Sequence, residues 1–137
     1  MRPELDSLDV RVVANPEWRE GLGASVRCGV RAATEERSEW SGVMLLLADQ
    51  FGVTPRHLRQ MLSLFRQIDL EIVAARYDGH SGPPVVIGAS LFAELLALRG
   101  AQGARALIAS MPDDTMLFDL PEGAFDVDVD ADEIGIR

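Results

Sequence analysis

A chain of 137 residues with a formal net charge of −9, 47% apolar and 26% charged, is long enough for one domain with its own core and too short for two. The acidic balance argues against non-specific grip on nucleic acid, which needs a basic face against the phosphates, and equally against an anionic membrane surface. It leaves room for an enzyme that handles a nucleotide, because magnesium mediates between protein carboxylates and substrate phosphates.

Residues 1–9 hold no apolar run and do not read as a secretory signal. Residues 10–14 (VRVVA) are β-branched and stopped by Asn15-Pro16, which predicts a short strand running into a turn. Residues 21–36 predict a loop entering a helix, with Leu22, Val26, Val30 and Ala33 at helical spacing. Cys28, on that helix, is the only cysteine, so no intrachain disulfide forms and a reducing, cytoplasmic compartment is the natural reading. No His or Lys neighbours it in sequence, and it reads as a small packing residue. Residues 42–48 (GVMLLLA) are apolar on both faces, as a buried parallel strand requires, and far too short to span a membrane.

Thr54-Pro55 marks a helix start: Thr54 can cap free N–H groups and Pro55 suits the first helical position. Leu58, Met61, Leu62 and Phe65 then form one apolar stripe. Residues 71–75 predict a strand, and residues 85–87 another after a Gly-Pro-Pro turn. Residues 90–98 and 103–110 read as helices broken at Gly100, and residues 115–120 as a strand. The tail, residues 126–137, alternates carboxylates with apolar residues. Strand and helix signals alternate throughout, which predicts a largely parallel sheet with covering helices.

Three constellations can carry chemistry. Ala48-Asp49-Gln50 follows the apolar strand directly, and in open α/β sheets ligands bind beyond the carboxyl ends of the strands. Asp49 there could hold a magnesium ion that bridges nucleotide phosphates, or could simply satisfy backbone donors in a turn. Residues 126–133 (DVDVDADE) have the opening pattern of a calcium loop, but Ala131 occupies the place of the sharp-turn glycine and Arg137 that of the bidentate glutamate. The run is therefore a solvated acidic tail, or one carboxylate of a two-sided metal site completed by Asp49. Gly21-Leu22-Gly23-Ala24-Ser25, leading to Gly29, puts Ser25 near a helix N-terminus, where N–H groups favour anions; helix capping with close packing at Gly29 explains the same residues. His57 and His80 have no ligand-spaced partners and read as surface residues.

Taken in order, these pieces resemble the molybdenum cofactor cytidylyltransferases and their guanylyltransferase relatives. The matching runs are Val12-Val13-Ala14-Asn15-Pro16-Glu17-Trp18, then Gly21 with Ser25 and Gly29, then Leu45-Leu46-Leu47-Ala48-Asp49-Gln50 followed by Val53-Thr54. Next come Ile72-Val73-Ala74-Ala75-Arg76-Tyr77 with Gly79 and Gly82, then Leu95-Leu96-Ala97-Leu98-Arg99-Gly100 with Gly103-Ala104-Arg105-Ala106-Leu107, and finally Asp128-Val129-Asp130. The resemblance implies a Rossmann-like three-layer α/β sandwich with a mostly parallel sheet. It also implies transfer of a nucleoside monophosphate from CTP or GTP to the phosphate of a molybdopterin-type cofactor, a phosphorylated pterin acceptor, with magnesium. By the same resemblance Asp49 is the catalytic metal ligand, Asp128 and Asp130 supply the second metal-side carboxylate, and Ser25, Gly29 and Gln50 lie on the nucleotide side.

The chain departs from the family pattern at several points. It begins at what would be the third strand, so the phosphate loop L-A-A-G-x-S-x-R-M-G-x-x-K, the first helix and the second strand are expected to be absent. All thirteen basic residues are arginine, and no lysine replaces that of the loop. Phe51 stands where the family has Pro, Pro83 replaces a polar residue, Ala101 replaces the Asp of R-G-D-x-G, and Ala131-Asp132 replaces T-P. Two readings follow: a magnesium-dependent nucleotidyltransferase whose chain is incomplete and impaired, or a non-catalytic remnant serving as a nucleotide-binding or protein-interaction module. Two missing strands would part residues 10–14 from residues 43–47 by about 14 Å. The expectation is that residues 10–14 close that gap by pairing directly with 43–47, or pair with another chain in a homodimer.

Overall fold

Local signals set the elements in the order α1 (Arg2–Leu5), α2 (Leu22–Glu36), β1 (Gly42–Leu45), α3 (Pro55–Gln67), β2 (Ile72–Tyr77), β3 (His80–Gly88), α4 (Phe92–Leu96), α5 (Ala104–Ser110) and β4 (Thr115–Asp119), in a computed structural model that describes residues 2–125. The start of α3 is fixed twice over. The Thr54 side chain accepts from the His57 N–H, and His57 Nδ1 accepts from the Thr54 N–H, a reciprocal box ahead of Pro55.

β2 is apolar at five of its six positions, and such a strand must be covered on both faces. Ile72 and Ala74 enter one buried cluster; Val73, Ala75 and Tyr77 enter the other. The first is closed by α2, α4 and α5 through Val30, Leu95, Ala104, Leu107 and Ile108. The second is closed by α3 through Met61, with Leu62 and Phe65 partly buried beside it. The result is the expected three-layer α/β sandwich. Its sheet has four strands among the described residues, in the order β1-β3-β2-β4. β1 and β2 are both antiparallel to β3, and β2 is parallel to β4, so three strands share one direction and β3 runs against them.

Several expectations need correction. Residues 10–14 form no strand and do not pair with β1. They run beside α2: Arg11 Nη1 donates to the Ala32 carbonyl at 3.1 Å, and Cys28 Sγ lies 3.5 Å from the Ala14 carbonyl. Val10, Val12 and Val13 are all exposed, so their β propensity buries nothing, and propensity without a packing surface decides little. β1 is shorter than expected and lies at the sheet edge, half-buried, antiparallel to its neighbour. It is apolar on both faces because Val43 and Leu45 pack on the first cluster and Met44 on the second. Gly82-Pro83-Pro84 is not a turn. It lies within β3, with a cis Pro83–Pro84 bond, where the register jumps from Ala74↔Val85 to Ala75↔Gly82. The turn is at Asp78-Gly79, both with positive φ (51° and 72°), which makes β2 and β3 a tight hairpin.

Candidate functional site

Because β1, β2 and β4 share a direction, their carboxyl ends meet on one side of the sheet. The chain leaves β1 through Leu46 and Leu47 and turns at Ala48-Asp49, where the Phe51 N–H donates to the Asp49 carbonyl at 3.0 Å. Asp49 is exposed, and among the described residues its carboxylate has no hydrogen bond or ion pair. It borders a small cavity of about 120 Å³ with Asp78, His80 and Arg105.

Gln50, next to it, is buried at 8% exposure. Its Nε2 lies 2.9 Å from the Pro83 carbonyl, 3.0 Å from the Gly123 carbonyl and 3.1 Å from the Tyr77 hydroxyl, which itself donates to the Pro83 carbonyl at 2.7 Å. Two N–H groups therefore serve three acceptors on three different segments. This pins the turn that presents Asp49 and leaves the Gln50 amide nitrogen committed inside the protein.

A larger cleft of about 530 Å³ lies between α2 and β1. Ser25, Val26 and Gly29 form one wall, residues 44–47 the other, and residues 101–105, which lead into the first turn of α5, the rim. A Cβ added at Gly29 would meet nothing within 4 Å, so Gly29 faces open space and is not a close-packing position. Ser25 Oγ accepts from Asn15 Nδ2 at 3.1 Å. Close approach instead occurs at the start of α2. The Gly23 N–H donates to the Gly100 carbonyl at 3.0 Å, and a Cβ on Gly21 (φ 117°) would fall 2.8 Å from that carbonyl oxygen.

That seam is locked by Arg27, which is 5% exposed. Its guanidinium pairs with Glu20 at 2.6 Å and Glu17 at 3.2 Å and also donates to the Leu98 carbonyl. The hydrogen bond from Arg27 holds the Glu20 carboxyl below its usual range, and Glu20 in turn raises the Arg27 guanidinium. Nothing in the helical pattern singled out Arg27, whose partners lie seven and ten residues upstream and in the loop after α4.

The structure thus places Ser25 and Gly29 on the larger cleft and Asp49 and Gln50 at the smaller cavity, and Leu47 and Arg105 line both. Asp128 and Asp130 lie outside the described residues, as does their expected approach to Asp49. Among the described residues no three His, Cys, Asp or Glu side chains converge to hold a metal. Magnesium is commonly bound by only one or two carboxylates plus substrate phosphates and water, and the open, unpartnered carboxylate of Asp49 fits that mode. No helix among the described residues is long and apolar enough to cross a membrane.

Comparison with known proteins bears on this geometry. The MobA-like NTP transferase domain matches residues 1–115. The purine catabolism protein PucB of Bacillus subtilis (strain 168) is 31% identical over 91 residues, which are 66% of this chain and 42% of PucB. The crystal structure of Rv0371c from Mycobacterium tuberculosis H37Rv superposes with a TM-score of 0.69 at 30% identity, over 95% of this chain and 64% of that one. A crystal structure of Rv0371c in complex with manganese gives 0.67 at 28% identity, over 94% and 64%. The chain therefore spans less than two thirds of the length of these relatives.

Proposed function

The chain belongs to the MobA-like NTP transferase domain family, and we propose that its cleft is the metal-and-nucleotide face of a nucleotidyltransferase site. In this reading residues 1–137 form one nucleotidyltransferase-like domain. Asp49 holds a divalent cation, magnesium in the cell, that bridges the phosphates of CTP or GTP. Ser25 and Gly29 border the nucleotide on the α2 wall, and Gln50 acts behind Asp49 as a positioning residue. The reaction such a site serves is transfer of a nucleoside monophosphate to the phosphate of a pterin-type acceptor, and this lysine-free chain is expected to carry it out with little or no turnover. A bound cation would supply charge neutralisation to the phosphates; the protein supplies the carboxylate, its rigid turn and the apolar walls that exclude water.

One observation carries the reading. The carboxylate at the carboxyl end of β1 is exposed, has no partner among the described residues, and borders a cavity that shares walls with a cleft large enough for a nucleotide. The manganese complex of Rv0371c supports a divalent cation in a protein of this fold. Calorimetric titration of CTP and GTP tests the proposal. Binding in magnesium that disappears in excess chelator is expected; equal binding with and without the metal would overturn it.

A second reading is a nucleotide-binding or protein-interaction module without turnover. The absence of any lysine favours it, since the cleft then has few cations to set against a triphosphate. The two readings share the binding site and differ in whether pyrophosphate is released.

A further inference from the structure

Among the described residues, one arginine supplies the positive charge that lines the cleft. With no lysine in the chain, every fixed cation is an arginine, and Arg105 is the arginine that lines both the larger cleft and the smaller cavity. Other arginines are engaged: Arg27 by Glu17 and Glu20, Arg76 by Asp119 at 2.7 Å, Arg11 by Glu36 at 3.6 Å. Among the described residues the Arg105 guanidinium has no hydrogen bond or ion pair, although Asp49 and Asp78 border the same cavity.

The position of Arg105 is nonetheless built. The side chain leaves the first turn of α5 and lies against β3 at Gly82, where an added Cβ would come within 3.1 Å of Arg105 Nε and 3.6 Å of Nη2, and 3.5 Å from the Tyr77 hydroxyl. Gly82 does not have a positive φ, so the backbone does not demand glycine there. What the missing side chain leaves is a seat for the guanidinium. A cation seated on a bare stretch of strand, in a strongly acidic chain, with no carboxylate in contact, is available to an anion from outside.

We propose that Arg105 is an anion-binding residue whose ligand is a phosphate group, either the polyphosphate of a nucleotide or the phosphomonoester of an acceptor. The guanidinium is a planar fork of donors that matches two oxygens of a phosphate. Asp49 on the same cavity disfavours a bare anion and favours one that arrives with a divalent cation, so Arg105 and a metal on Asp49 would hold the phosphate from two sides. The inference deepens the metal–nucleotide reading of this cleft and rests on that reading only for what carries the phosphate.

The test is calorimetric binding of inorganic pyrophosphate and of ribose 5-phosphate, each with magnesium, to the 137-residue chain and to Arg105→Gln, Arg105→Lys and Gly82→Val. Wild-type protein is expected to bind at least one probe. Arg105→Gln should weaken that binding about tenfold or more, the usual scale for losing a charge-assisted bidentate contact. Arg105→Lys should recover part of it. Gly82→Val should lose it with Arg105 still present, because the new side chain takes the seat. Arg105 is exposed, so Arg105→Gln should melt as wild type does. Selective loss of pyrophosphate assigns Arg105 to the nucleotide, and selective loss of ribose 5-phosphate assigns it to the acceptor. Failure of both probes to bind wild type, or unchanged binding in Arg105→Gln, overturns the proposal. If nucleotide binding proves indifferent to the metal while phosphate binding still falls in Arg105→Gln, the metal reading fails and the phosphate site holds.

Discussion

Gln50 shows how much one amide can hold. It joins the turn after β1 to the Tyr77 end of β2, to β3 and to the segment after β4. Gln50→Ala leaves the buried Gly123 carbonyl without this donor, and an unsatisfied buried group costs about 1–3 kcal/mol. A shift of that size in urea unfolding is expected, and with it weaker metal binding at Asp49. Glu20 makes a prediction of a different kind. Its carboxyl is held low by the hydrogen bond from Arg27. The pair therefore stabilises the fold fully above the ordinary carboxylate value of 4.5, and loses that contribution as pH falls through the lower folded value. Glu20→Gln should flatten the acid limb of stability as pH falls below 4.5; an unchanged limb would show that the pair contributes nothing. Neither role was legible in sequence. Asp49-Gln50 stood out as a pair, but the three partners of Gln50 are 27 to 73 residues away. Arg27 looked like any other helical arginine. Local pattern carries no information about such distant partners.

At the scale of elements, legibility follows how local the cause is. α3 was readable because its cap, its proline and its stripe lie within thirteen residues. Thr54→Ala should therefore cost about 1 kcal/mol through loss of the cap. Met61→Ala, at a fully buried position facing β2 and β3, should cost about 2–5 kcal/mol. Denaturant titration of the two variants measures both, and a cost for Met61→Ala no larger than for Thr54→Ala would contradict the packing of α3 described above. The hairpin between β2 and β3 also had a local signal, the Asp78-Gly79 dipeptide, but Gly82-Pro83-Pro84 is a stronger turn signal on paper and drew the boundary to itself. Residues 10–14 failed for the opposite reason. Their composition is right for a strand, and what decides the outcome is whether a sheet edge is available, which short-range pattern does not report.

At the scale of the molecule, three layers bring the carboxyl ends of β1, β2 and β4 together, and the candidate site lies at that end with two carboxylates, Asp49 and Asp78, and one unpaired arginine among the described residues. Phosphoryl transfer draws on several preorganised positive groups, whose removal typically costs several kcal/mol of barrier. The 137-residue chain, given CTP or GTP, magnesium and the phosphorylated pterin, is therefore expected to bind nucleotide but release no pyrophosphate above blank, the outcome of the reading without turnover; robust release would favour the transferase reading and show that Arg105 and the metal suffice. The proposed metal site depends most directly on Asp49. Titration of manganese(II) into the chain with CTP or GTP, followed by the paramagnetic resonance signal of the free ion, should show saturable loss of signal beyond that caused by the nucleotide alone in wild type, and no loss beyond it at the same concentrations in Asp49→Asn. Equal uptake of manganese by wild type and Asp49→Asn, with nucleotide present, would contradict the claim that this carboxylate holds the metal.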